Sequence, residues 1–261
     1  VSYPLRRIYG KRFTVAPLSV MIDPLRAARI LGLAEGRSFS EKVVYVYQKQ
    51  LQEADFIVVN KCDAHPPGFI KQLESALKDL FPDARTFICS AHNGTGTRAW
   101  FDAMLSNKSS NSTALDINYD IYAEGEALLG WLNCTARLES NTPFDGNQTL
   151  IELAGKIRDG VIQAGQDIAH LKMTLDSQDG TGTLSVVSLV GVDREPDLRE
   201  SLLDRVDGGE LVINLRAEAN PVQLETVTRQ ALASLGNIRA VIEHLEQLRP
   251  GRPTPTHRMA E

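Results

Sequence analysis

Long apolar runs are missing from this sequence: no stretch approaches the roughly 18–20 residues that a membrane-spanning helix needs. An excess of positive charge is missing too, with 28 Lys+Arg against 33 Asp+Glu and a formal net charge of −5. Such a chain has no global field attractive to phosphate backbones, so neither a nucleic acid nor a membrane is expected as a partner. Cysteine is scarce: Cys62, Cys89 and Cys134 lie too far apart in sequence for a disulfide framework or a closely spaced zinc cluster. With no charged-then-apolar leader ahead of them, they point to a reducing, cytoplasmic setting. An initial Met is absent, since the chain begins Val1-Ser2-Tyr3-Pro4, and it is expected to lack its natural start. What is there is ordinary for a globular chain: 43% hydrophobic and 23% charged side chains over 261 residues, enough for one large or two modest domains.

The first hundred residues alternate short apolar runs with helix-period segments, the pattern of a parallel sheet with crossover helices. Residues 13–23 read as a strand ending at Asp23-Pro24, and 40–54 as a helix. Phe56-Ile57-Val58-Val59 reads as a buried strand closing on Asn60-Lys61-Cys62-Asp63. Residues 68–81 resume helix period, Thr86–Cys89 form the next strand, and Trp100, Phe101, Met104 and Leu105 mark another helix. In such sheets the polar loops at the strand C-termini bind ligands.

Residues 106–123 are expected to be a linker, built around the polar stretch 106–114. Beyond it, 124–236 reads as an α+β domain: a strand at 124–139, then a helix with Asn147 near its start and Gly165 at its end. Strands at 168–176 and 183–191 flank the Asp179-Gly180 turn. A helix opening at Pro196, a strand at 210–218 and a helix capped by Asn220-Pro221 follow. The order βαββαβ is that of a ferredoxin-like sandwich. Residues 237–261 are expected to be a terminal helix and a Pro/Arg tail.

Asn60-Lys61-Cys62-Asp63 has the spacing N-K-x-D, placed in the loop after a buried strand. A carboxylate at Asp63 can accept from both the ring N1–H and the exocyclic amine of guanine, whereas adenine presents a different donor and acceptor order. Asn60 would tie neighbouring loops together and touch the purine edge, and the alkyl stem of Lys61 would cover a face of the base. Ser90-Ala91 ends the next strand, where a backbone N–H faces the position of the guanine carbonyl oxygen. For Asn60 and Asp63 the competing role is a loop capping the next helix, and for Ser90 a helix start. Asp23 either faces the nucleotide or caps the helix after it.

These segments resemble the CobW/HypB/UreG-type P-loop GTPases, which support metal insertion into enzymes and cofactors. The resemblance is carried by Leu18 to Asp23, by Glu53 to Asp63, and by Cys89-Ser90-Ala91 with Asn93-Gly94-Thr95-Gly96. It spans residues 13–105, so residues 1–105 are identified as the C-terminal part of a P-loop GTPase domain. Tyr122 to Glu126 and Trp131 to Asn133 also resemble the second domain of such proteins. The resemblance implies GTP or GDP with Mg²⁺ in the intact parent, a delivered transition metal, and a client metalloprotein or a second copy as partner. The family's Walker A loop, Mg²⁺-supporting carboxylates and Cys motif lie upstream of the matching strands and have no counterpart here. The nearest imitation, Gly32 to Ser38, has three spacers instead of four and Arg in place of Lys, and it reads as a helix-ending turn. The chain alone is therefore expected to be catalytically inactive. The alternative is a non-catalytic interaction module with a degenerate nucleotide domain.

Two further groups carry open alternatives. Cys62 and Cys89, with His65 and His92 close by in sequence, are either an incomplete metal site or small buried apolar residues. In the second domain Arg137, His170, Lys172 and Arg216 share one strand phase, opposite an apolar phase that must pack under helices. That polar face is either solvated or packed on the first domain, or it binds an anion or a partner protein.

Overall fold

The computed structural model describes Tyr9, residues 12–106 and residues 117–251. The chain forms two compact units, one from the described residues up to Tyr122 and one from Ala123 onward. No helix among the described residues is long and apolar enough to cross a membrane.

The first unit is built on three parallel strands, β1 (Ser19–Ile22), β2 (Phe56–Val59) and β3 (Arg85–Ile88), in the order β1-β2-β3. Parallel neighbours need crossovers. Here α1 (Pro24–Ile30) and α2 (Glu41–Glu53) lie between β1 and β2, α3 (Pro67–Leu80) lies between β2 and β3, and α4 (Thr97–Ser106) follows β3. All four residues of β2 are buried, which explains its unbroken apolar run. Ile57 and Val59 pack with Ile22, Leu51, Leu73 and Leu77 in one cluster, while Phe56 and Val58 pack with Phe87, Cys89 and Ala103 in another. The strand expected over 13–23 is only four residues long. β2 offers a ladder of four, Ser19↔Phe56 to Ile22↔Val59, and residues before Ser19 have no strand to pair with. Asp55 closes that end, its carboxylate accepting from the Leu18 N–H at 2.8 Å.

The second unit is a six-stranded antiparallel sheet with strand order β7-β6-β5-β8-β4-β9. Its elements are β4 (Gly130–Phe144), α6 (Gly146–Gln163), β5 (Ile168–Asp176), β6 (Leu184–Leu189), β7 (Asp197–Glu200), β8 (Val206–Ala217), α7 (Pro221–Ala233) and β9 (Arg239–Leu248). β4–α6–β5 and β8–α7–β9 are each split by one intervening strand. The apolar phase is buried as expected: Leu132, Ala136, Leu138, Leu171, Met173, Leu175, Leu211, Ile213 and Leu215 meet Leu150, Leu153 and Ile157 of α6 and Leu224 of α7 in one core.

Four expectations are corrected. The strand placed at 124–139 starts at Gly130, because α5 (Tyr119–Leu128) precedes it, its first turn held by Asn118 Oδ1 accepting from the N–H groups of Asp120 and Ile121. The linker at 106–123 is thus helical from Tyr119, and its polar part, 107–116, lies outside the described residues. The helix at Pro196 is instead the edge strand β7, where a leading proline costs no ladder bond. The terminal helix after 237 is β9: the fifteen-residue β4 has a second edge to satisfy, and β9 pairs with it from Trp131↔Leu248 to Glu139↔Arg239. The tail beyond Gly251 lies outside the described residues.

Helix starts follow their caps. Asp145 Oδ1, rather than Asn147, caps α6 by accepting from Gln148 N–H at 2.9 Å. Asn147 turns away and makes two bonds of 2.9 Å with the Leu202 backbone. Asn220 caps α7 in a reciprocal box with Gln223. Asn220→Ala is expected to destabilise the second unit by about 1 kcal/mol, read as a lowered urea midpoint at unchanged slope.

Candidate functional site

The C-terminal ends of β1, β2 and β3 lie in register, Ile22 beside Val59 beside Ile88, so the residues just beyond them form one polar rim. Asn60 sits in its middle. Its N–H donates to the Ile22 carbonyl at 3.1 Å, and its Oδ1 accepts from Ala91 N–H at 2.9 Å and, more weakly, from the Cys89 thiol at 3.9 Å. The tie between neighbouring loops expected of Asn60 is therefore made.

Lys61 is left-handed, with φ 60° and ψ 33°, a conformation that non-glycine residues take at some cost. It ends the ladder abruptly: Cys62 N–H, one residue later, returns to the Cys89 carbonyl at 3.1 Å. The Lys61 ammonium lies 3.1 Å from Asp23 Oδ2. Asp63 follows in a short 3-10 turn, Cys62–Ala64, with its side chain exposed.

Asp23 caps α1, its Oδ1 accepting from Arg26 N–H at 3.2 Å, and it pairs with Lys61. The capping alternative is the one the structure makes. Burial pushes the Asp23 carboxyl up, but the charge of Lys61 and the hydrogen bonds from Arg26 and Lys61 outweigh it, and the pKa falls below 3.8. A folded pKa below the unfolded one means that this group stabilises the fold at neutral pH and loses that contribution as pH falls through the folded value. Asp23→Ala is expected to cost about 1 kcal/mol at pH 7. The cost should shrink toward pH 2, and urea melts at the two pH values check it.

Ser90 is fully buried and serves the loop itself. Its N–H donates to the Thr95 carbonyl at 2.9 Å, its carbonyl accepts from Gly94 N–H at 2.9 Å, and its Oγ accepts from Asn93 N–H at 3.4 Å. Ser90 and Ala91 N–H groups are thus both used within the rim, one by Thr95 and one by Asn60. A base carbonyl would have to share the Ala91 donor with Asn60. The loop is tight at Gly96, with φ 71°, where an added Cβ would lie 2.1 Å from the Ile88 carbonyl oxygen. The Gly94-Thr95-Gly96 pattern signalled this turn, whereas nothing in the sequence signalled that Asp23 and Lys61 pair.

The two rim thiols pack into different apolar clusters. Cys89 belongs to the apolar cluster with Phe56, Val58 and Phe87, and Cys62 packs on the other one, with Ile57 and Val59. Burial, and secondarily Cys62, pushes the Cys89 thiol up. His65 lies against Phe69, ring centroids 5.3 Å apart. Among the described residues no group of three or more His, Cys, Asp and Glu could hold a metal ion. The described residues thus offer no all-protein cage for a transition metal. At the end of the Gly32–Gly36 turn the Arg29 side chain lies against the backbone: Arg29 Nε donates to the Glu35 carbonyl, and a Cβ on Gly36 would meet the guanidinium at 2.5 Å.

The fold and rim define a mixed α/β protein whose first unit gathers polar loop residues at the C-terminal ends of parallel strands, joined to a second unit with an antiparallel sheet. No family model and no curated protein sequence matches the chain. Among solved structures it is similar to the Zn(II)-bound YjiA GTPase from E. coli, with 14% identity and a TM-score of 0.30 over 90% of this chain and 65% of that one. A Zn(II)-bound triple mutant of the YjiA GTPase aligns over 87% of this chain and 63% of that one, also with 14% identity and a TM-score of 0.30. The chain thus spans less than two thirds of the length of these proteins, and alignments at this score carry no argument about its function.

Proposed function

We propose that the first unit recognises the base of a guanine nucleotide at the loops after β2 and β3. The observation that carries this reading is the Asn60 bridge to Ala91, which holds the N-K-x-D loop against the Ser90-Ala91 loop at the end of a parallel sheet. In this reading the exposed Asp63 carboxylate accepts from N1–H and the exocyclic amine, and the stem of Lys61, anchored by Asp23, covers one face of the ring. No hydrolytic step is assigned to the described residues. The resemblance to the metal-insertion GTPases supports a wider reading, in which nucleotide binding is coupled in a GTPase parent to delivery of a metal or cofactor. Its partner would be a client metalloprotein or a second copy. The split β–α–β connectivity of β4, β5, β8 and β9 supports a ferredoxin-like reading of the second unit. Calorimetry of this chain with GDP and ADP tests the base site. GDP should bind about 100-fold tighter, and equal affinities overturn the assignment.

A second reading, a non-catalytic interaction module, is favoured by Lys172 and Arg216 on the sheet face opposite α6 and α7, whose side chains make no hydrogen bond or ion pair among the described residues.

A further inference from the structure

The face of the second unit's sheet opposite α6 and α7 is divided in two. On the β9 side its cations are spent within the fold: Arg137 lies 2.8 Å from Glu243 and also donates to Gln178, and Arg239 lies 3.4 Å from Glu139. Arg137 therefore leaves the basic group expected from the strand phase. Around Asn214 the situation is reversed. Asn214 stands between Asn133 and Lys172 in the ladder, and Arg216, two residues along β8, stands between Trp131 and His170. Among the described residues the side chains of Lys172, Arg216, Asn133 and Asn214 make no hydrogen bond or ion pair, and Lys172 and Asn214 are exposed.

Arg216 is also held in place. Its Cζ lies 3.4 Å from the centroid of the Trp131 ring, and its Nε and the indole N–H are buried without hydrogen-bond partners. A guanidinium stacked flat on an indole has already lost much of its rotamer freedom, so its donor edge meets an anion at reduced entropic cost. Desolvation works against its charge, and the Glu126 charge only partly offsets this.

We propose that this half of the sheet face binds an extended acidic segment of a partner protein. Arg216 takes one carboxylate, and Lys172 with Asn214 takes a second, two residues along. Side chains on one face of an extended peptide repeat about every 6.6–6.8 Å, the same repeat that separates Arg216 from Asn214 along β8. A flat surface of this kind suits a segment with several carboxylates better than a single small anion, which would gain one exposed contact. The proposal is independent of the guanine site.

The test is titration of the chain with a ten-residue peptide alternating Asp and Thr, followed by Trp131 emission and calorimetry. Binding is expected, weakened at least about tenfold by Arg216→Gln or Lys172→Gln, unchanged by Arg137→Gln, and suppressed by salt. The Lys172 side chain is exposed and makes no hydrogen bond or ion pair among the described residues, so its variant carries the test if Arg216→Gln misfolds. No binding, or binding that survives both substitutions, overturns the proposal. Citrate that displaces the peptide at equal carboxylate concentration also overturns it, in favour of a free anion.

Discussion

Asp63→Asn is expected to remove most of the preference for GDP over ADP, about two orders of magnitude, while leaving the fold intact. In the proposed site the carboxylate would accept two hydrogen bonds from guanine, and charged acceptors contribute roughly 1.5–3 kcal/mol each. An amide in its place keeps one acceptor and turns the other position into a donor that faces the exocyclic amine. The same change makes the site complementary to xanthine, whose carbonyl replaces that amine, so XDP affinity should rise as GDP affinity falls. Asp63 is exposed in a short turn, so stability should change little. Calorimetry with GDP, ADP and XDP reads all three effects. Loss of binding to every nucleotide alike would mean that Asp63 holds the loop and does not read the base.

Gly96→Ala should damage the same rim through the backbone. The residue has φ 71°, and its Cβ would lie 2.1 Å from the Ile88 carbonyl oxygen, at the last rung of β3. Backbone cannot yield as a flexible side chain can, so Ser90–Gly96 must open or β3 must shift. The expected cost is about 2 kcal/mol or more, beyond the roughly 1 kcal/mol of a left-handed alanine alone. Gly94→Ala is the control, since its φ is 80° with nothing within 4 Å of the added Cβ. Urea melts should separate the two, and guanine affinity should fall only in the Gly96 variant. Equal losses would show that the crowding at Ile88 is relieved without consequence.

The two units differed in how much of them could be read in advance. In the first, four consecutive apolar residues at 56–59 marked a strand buried on both sides, and the helix period resumed from residue 68 marked α3. In the second, strict alternation over 171–175 and 211–215 marked which side chains would enter the core. The misreadings share a cause. Arg239–Leu248 and Asp197–Glu200 lie at the two edges of the sheet, and edge strands carry weak alternation because neither face is fully buried. Whether such a segment is a helix or a strand is settled by the neighbour that needs its hydrogen bonds, and that neighbour is distant in sequence.

At the rim, residue types and spacing placed Asn60, Lys61, Asp63, Ser90 and Ala91 just beyond the ends of two neighbouring strands, and the Asn60–Ala91 hydrogen bond joins those two loops. Sequence by itself also determined the parallel-then-antiparallel division and the buried strand phases, since both follow from local periodicity. Tertiary structure alone decided that Asp23 holds Lys61, that Cys62 and Cys89 pack into different apolar clusters, and that Arg137 is ion-paired while Arg216 and Lys172 form no ion pair among the described residues. Each of these depends on strand register and on the direction a side chain leaves the sheet, and a one-residue change in register would reverse it.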